Sequence, residues 1–194
     1  AAQLKRLADP DFRHTLITEE SVYPDSDVQI LTELMATAFT MQYELSDGFD
    51  YEPSAQQSIA YLAEQAGISG AEYAYDLLMR DGGRGLIYFP LLNYADGNLN
   101  FLEPVLQSDD CINSLSDGGA HCGTICDAAS PTFMLQHWVR DREGFKLSLS
   151  QAIKRQCADT AKVYGLDDRG VLAPGYLADI LSLIHISEPT RLHG

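Results

Sequence analysis

Between Gly85 and Leu115 the chain reads as a short apolar run, a helix-compatible stretch and a second apolar run, and this rhythm limits the fold more than any other feature. Gly85-Leu-Ile-Tyr-Phe-Pro90 suits a buried strand, residues 98–107 a brief helix, and Cys111 to Leu115 the next strand. Strand, helix and strand in succession predict an α/β fold with a parallel sheet. Downstream, Ser130-Pro131 is a favourable cap and first-turn pair for a helix carrying Phe133, Met134 and Trp138. Ser148-Leu-Ser-Gln151 is a capping box for another helix. Its apolar side is predicted as Leu149, Ile153, Cys157, Ala161 and Tyr164, with Gly165 as terminator.

Upstream, apolar residues at near-helical spacing predict a helix over Leu4 to Glu20, with Pro10 marking a boundary or a new first turn. Phe39-Thr-Met-Gln-Tyr-Glu-Leu45 is compatible with a strand ending at Ser46-Asp-Gly48. Two capping boxes follow. Ser54-Ala-Gln-Gln57 precedes Ile59, Leu62, Ala63 and Ala66 and stops at Gly67; Ser69-Gly-Ala-Glu72 precedes Tyr73, Leu77 and Leu78 and is broken by Asp81-Gly-Gly83.

Composition matters mainly for what it excludes. With 45% apolar residues among 194, the chain reads as globular. Its net charge of -15 comes from acidic residues scattered along its length, which argues against nucleic acid and anionic membranes as partners. No stretch approaches the roughly 18 to 20 apolar residues of a membrane span, and the opening Ala-Ala-Gln-Leu-Lys-Arg lacks a signal-peptide core. Cys111, Cys122, Cys126 and Cys157 form no dense framework, which fits reduced thiols and a cytoplasmic location.

The ends invite their own expectations. The first residue is not Met, so the native start is expected upstream. Leu181-Ser-Leu-Ile-His-Ile-Ser-Glu-Pro-Thr-Arg191 can be read back into the codons of a transposon-end sequencing adapter. Residues 181–194 are therefore set aside as a non-native tail, against the alternative of a natural strand from Leu181 to Ile186, and His185 and His193 are dropped as ligand candidates.

The chemistry concentrates in Leu115-Ser-Asp-Gly-Gly-Ala-His-Cys-Gly123, where a carboxylate follows an apolar run and precedes a glycine-rich turn. In a (β/α)8 barrel that position is the active-site face. Gly118 and Gly119 allow a tight turn or a close approach to a ligand, and Asp117 projects as a general base or metal ligand. An ordinary Asp-Gly turn fits the same spacing. His121 fits either the substrate pocket, with a hydrogen bond orienting Asp117, or a plain loop. His121-Cys122 with Cys126 has no second pair at structural-zinc spacing.

The block Ser116-Asp-Gly-Gly-Ala-His-Cys-Gly-Thr-Ile-Cys-Asp127, followed by Ser130 to Arg142, resembles the last barrel-strand region of the N-acyl-D-amino-acid deacylases, the D-aminoacylase-like branch of the metal-dependent amidohydrolases. Gln151-Ala-Ile-Lys-Arg155, Ala161-Lys-Val-Tyr-Gly-Leu166 and Asp168 to Ile180 resemble the passage where such enzymes leave the barrel and re-enter a small β-sandwich. Asp50-Tyr-Glu-Pro53 and Asn93-Tyr-Ala-Asp96 extend the similarity over residues 1–180. The resemblance implies the C-terminal part of a TIM-like barrel over 1–165, the start of the sandwich over 166–180, and the tail over 181–194.

It also implies one or two divalent metals, usually zinc, and a small-molecule linear amide as substrate. Asp117 matches the aspartate that moves the proton of the attacking water. The family's His-x-His pair, bridging residue and two later histidines have no counterpart in residues 1–180 and are expected upstream, so the chain alone is expected to be inactive. His14 on a surface helix and His137 on the Trp138 helix are read as ordinary helix residues. Arg140 and Arg142 are read as surface ion-pairing groups, with a substrate-carboxylate fork as the alternative. Two other functions compete: a cyclic amidase with the same metal chemistry, such as a hydantoinase or dihydroorotase, and a non-catalytic barrel descendant acting as a binding module.

Overall fold

A computed structural model describes residues 2–19, 29–90, 92–113 and 129–182. They fall into two compact units, one ending at Phe101 and the other starting at Leu102.

In the first unit, α1 (Ala2–Leu7) and α2 (Pro10–Thr18) are separate helices. The break comes where Pro10 predicts it: Asp9 caps α2, its carboxylate accepting from the Asp11 and Phe12 amides at 3.1 and 3.0 Å. Next come α3 (Gln29–Thr37) and a 3₁₀ turn at Phe39–Met41, which leaves only Tyr43–Leu45 as strand β1. The Ser54 box forms, but it closes a second 3₁₀ turn at Ala55–Gln57. Ser58 then caps α4 (Ile59–Ala66), and Gly67, at φ 69°, ends it. The Ser69 box opens α5 (Gly70–Gly83), whose helical path fails at Arg80, Asp81 and Gly82.

β2 (Leu86–Tyr88) pairs with β1, Tyr43 facing Tyr88 and Leu45 facing Leu86. This pairing is antiparallel, whereas the alternation of strand and helix predicts a parallel sheet. The reason is local: α5 reverses the chain and lays β2 along β1, so the partner lies upstream rather than at Cys111 to Leu115. Residues 111–113 are not in a strand, and 114–115 lie outside the described residues. Leu86 is 58% exposed, so β2 has one open face instead of two covered ones. The core of this unit is Ile59, Ala74 and Leu77, packed by Phe39, Tyr73 and Ile87.

The second unit contains α6 (Leu102–Gln107) and α7 (Ser130–Phe133), the latter continuing as a wide π-helical stretch through Met134–Asp141. Ser130 is the first helical residue rather than the cap, a position Ala129 takes. α8 (Leu149–Lys154) starts from the predicted Ser148 box, widens at Arg155–Asp159 and closes as α9 (Thr160–Val163). The extra residue in a π turn rotates everything after it by about 100° relative to an unbroken helix. Of the predicted apolar stripe only Ala161 is buried, and Leu149 and Ile153 already face outward before the widened turn begins. Leu149 and Tyr164 are 57% and 69% exposed, while Ala152, Arg155 and Ala161 turn inward to a core holding Met134, Leu135, Trp138 and Leu147.

After Gly165 the chain crosses back over this helix. A Cβ on Gly170 would sit 2.8 Å from both the Ala161 Cβ and the Cys157 carbonyl oxygen, so the close approach needs glycine. Residues 166–182 form turns and bends with no strand among them, where the first sandwich strand is expected. A strand needs a neighbour for its amides, and almost all of this stretch is exposed.

Candidate functional site

Asp117, Gly118, Gly119 and His121 all lie in 114–128, outside the described residues. The approach to them, residues 105–113, is described, and one side chain dominates it. Arg155 is 6% exposed and reaches under the end of α6. Its Nη1 donates to the Ser108 carbonyl at 3.0 Å, and its Nη2 to the carbonyls of Cys111 at 2.8 Å and Val105 at 3.4 Å. Nε donates to Asn113 Oδ1 at 3.3 Å, and the Asn113 amide group also faces the Met134 sulfur at 3.9 Å.

The local sequence explains this arrangement. The last carbonyls of a helix have no intrahelical partner, and a guanidinium presents five donors in a plane. Sequence reasoning did not single out Arg155 or Asn113. The available signal was a charged residue three positions after Ala152, on the small-residue side of a capped helix.

On the helix that starts at Ser130, His137 is 3% exposed. Its ring stacks on Phe133 at 5.0 Å and 10°, and meets Trp138 edge-on at 5.6 Å. It is a packed core histidine, as its helical placement predicts. Arg142 departs from its surface reading. It is 4% exposed, its guanidinium lies 4.7 Å from the Trp138 ring centre, and Nη1 donates to the Phe145 carbonyl at 3.1 Å. Burial behind Trp138 follows because the π-helical turn ends there, swinging the side chain back over the ring. Arg140 does pair at the surface, with Asp141, and that guanidinium holds the Asp141 carboxyl below the usual range.

In the first unit, two of the sequence blocks meet. Tyr94 donates from its hydroxyl to the Pro53 carbonyl at 3.2 Å, and the Leu99 amide to Glu52 Oε2 at 2.9 Å. Phe49, Tyr51 and Tyr88 pack edge-on at 4.9 to 5.7 Å. Burial pushes the Tyr88 phenol up to about 12, with the neighbouring Tyr51, Tyr43, Glu52 and Asp50 adding to it, and raises Tyr94 as well.

For metal binding, the described residues bring no three of His, Cys, Asp or Glu into one cluster. His14 is exposed on α2, and Cys111 and Cys157 are free thiols. The described residues therefore hold no complete set of metal ligands. No described helix is long and apolar enough to cross a membrane.

Residues 92–189 match the family model described as the amidohydrolase family. The match spans the Asp117 segment and Arg155, and it runs into the stretch beyond residue 180 that sequence reading sets apart as a tail. No curated protein and no solved structure gives a significant match to the chain.

Proposed function

This chain belongs to the amidohydrolase family, and from that membership we propose that its parent enzyme hydrolyses a linear amide of the N-acyl-D-amino-acid type, with Asp117 moving the proton. Membership implies hydrolase chemistry on a TIM barrel, and members generally bind divalent metal ions. The observation that carries the proposal is the family match across the segment in which an apolar run leads into Ser116-Asp-Gly-Gly-Ala-His121.

A divalent ion, zinc in this proposal, supplies polarisation of the amide carbonyl and a more acidic water when bound. The contribution of the chain is acid–base chemistry. The Asp117 carboxylate accepts a proton from the attacking water and returns it to the departing nitrogen, so that an amine rather than an amide anion leaves. Gly118 and Gly119 let the backbone lie close to the substrate, and His121 orients the Asp117 carboxylate by a hydrogen bond.

The preference for a linear substrate rests on the likeness of Ser116 to Asp127 and of Asp168 to Ile180 to the deacylase branch. It is tested by supplying the full-length gene product with N-acetyl-D-amino acids and with a hydantoin. Faster amine release from the N-acetyl compounds supports the proposal. Ring opening of the hydantoin as the faster reaction overturns it in favour of a cyclic amidase.

A further inference from the structure

The first two helices are the least embedded part of the first unit. No residue of α1 or α2 is buried. At six and nine residues, each is shorter than the roughly 12 to 15 residues that an isolated helix needs to persist in water, so their helical state depends on what they dock against. They dock against α5. Leu4 lies over Gly83, where an added Cβ would come 2.7 Å from the leucine Cδ2.

Polar contacts supply the rest of the docking. Among the described residues three hydrogen bonds join the two helices to the rest of the chain, two from the Arg13 guanidinium to the Asp76 carboxylate at 2.9 Å each and one from the Tyr75 hydroxyl to the Leu7 carbonyl at 2.6 Å. The guanidinium also lies 3.8 Å from Glu72 Oε1 and 5.7 Å from the Tyr75 ring centre. Glu72 is already engaged by the Ser69 amide and hydroxyl at 2.8 Å, so Asp76 is the main anchor. A planar fork on one carboxylate fixes geometry well. However, the Arg13 side chain is 30% exposed and that of Asp76 56%, which leaves the pair open to screening by salt.

The core of this unit is built without either helix. Ile59, Ala74 and Leu77 are packed by Phe39, Tyr73 and Ile87, so losing α1 and α2 removes no core residue. Elements with no buried side chain and few ties open at lower free energy than the core they rest on.

We propose that α1 and α2 form a detachable arm, clasped to α5 by the fork from Arg13 to Asp76, that melts on release while the core of the unit stays folded. Release bares the side of α5 that carries Glu72, Tyr75 and Asp76. Ionic strength thereby sets how often that side is open.

The experiment is amide hydrogen exchange on the chain, comparing wild type, Arg13→Gln, Asp76→Asn and the double variant. Salt is raised from about 0.01 M to about 1 M, over which the screening length falls from about 30 Å to about 3 Å. Peptides covering 2–18 report the arm and those covering 59–66 the core. In wild type at low salt, 2–18 is expected to be protected but to exchange on the order of 100-fold faster than 59–66. High salt, or Arg13→Gln at low salt, is expected to speed 2–18 by about threefold to fivefold and leave 59–66 unchanged. Salt should then add nothing in Arg13→Gln, and the double variant should exchange no faster than the faster single one.

Equal protection of 2–18 and 59–66 in wild type would make the two helices part of the core and overturn the inference. Exchange of 2–18 at the rate of an unstructured peptide would overturn it from the other side, since the arm would not be docked. Arg13→Gln that leaves 2–18 unchanged, or speeds both regions alike, removes the clasp. A salt response that persists in Arg13→Gln assigns the sensitivity to other charges and removes the ionic control.

Discussion

Replacing Gly85 by Ala isolates one packing contact that holds the first unit together. Gly85 does not adopt a left-handed conformation, so alanine carries no backbone penalty there and the whole cost is steric. The new Cβ would lie 1.9 Å from the Leu77 carbonyl oxygen, 2.8 Å from its carbonyl carbon and 3.0 Å from the Leu78 Cα. All three are backbone atoms. Since real Cβ atoms essentially never approach closer than 3.0 Å, α5 and β2 must separate by at least about 1.1 Å. Leu77 is 1% exposed and sits in the core with Ile59 and Ala74, so the separation either opens that core or breaks the β1–β2 pairing. Overpacking that only moves side chains costs about 1–3 kcal/mol. A backbone clash belongs at or above the top of that range, against a total stability on the order of 5–15 kcal/mol. At roughly 4 °C per kcal/mol or more for a unit of this size, the melting temperature should fall by at least about 12 °C. The assay is a circular-dichroism melt alongside Gly67→Ala. Gly67 has φ 69° but open space around it, so that variant carries only the left-handed penalty of about 1–2 kcal/mol. If Gly85→Ala melts as high as Gly67→Ala, α5 and β2 are not in close backbone contact at Gly85.

Arg142→Met should remove a buried cation–π contact and the donor to Phe145, costing about 2 kcal/mol; because Trp138 is the sole tryptophan, its fluorescence during urea unfolding reports the loss directly. Alkaline titration should show Tyr88 resisting ionisation. Its folded pKa lies near 12, above the usual 10, so its contribution to stability is complete below pH 10 and disappears as the pH rises towards 12. A wild-type minus Tyr88→Phe difference titration with its phenolate midpoint near pH 10 and the fold intact would refute the buried placement of that ring.

What the sequence disclosed depended on how local the signal was. The Ser69 and Ser148 boxes, the stop at Gly67 and the break at Asp81 were legible because each is settled within four residues. The direction of strand pairing was not, because it depends on how α5 returns the chain to Tyr43–Leu45. The buried side of the helix after Ser148 was misread because the small Ala152 and the charged Arg155 take the core side while Leu149 and Ile153 face outward, which apolar spacing does not signal. For the site, the sequence singled out Asp117 through its glycine-rich turn but passed over Arg155. An arginine normally signals surface, and only the meeting of three carbonyls separated in sequence makes this one a buried tie. Arg142 was read as exposed for the same reason.

The role proposed for Asp117 is tested most directly by Asp117→Asn in the full-length gene product supplied with a divalent metal, with kcat for an N-acyl-D-amino acid and bound metal measured on the same sample. The account predicts a loss of about 100-fold or more in kcat with metal content unchanged, as expected when the proton carrier is removed from an otherwise assembled site. An Asn variant that turns over at the wild-type rate would contradict it and return Asp117-Gly118 to being an ordinary turn.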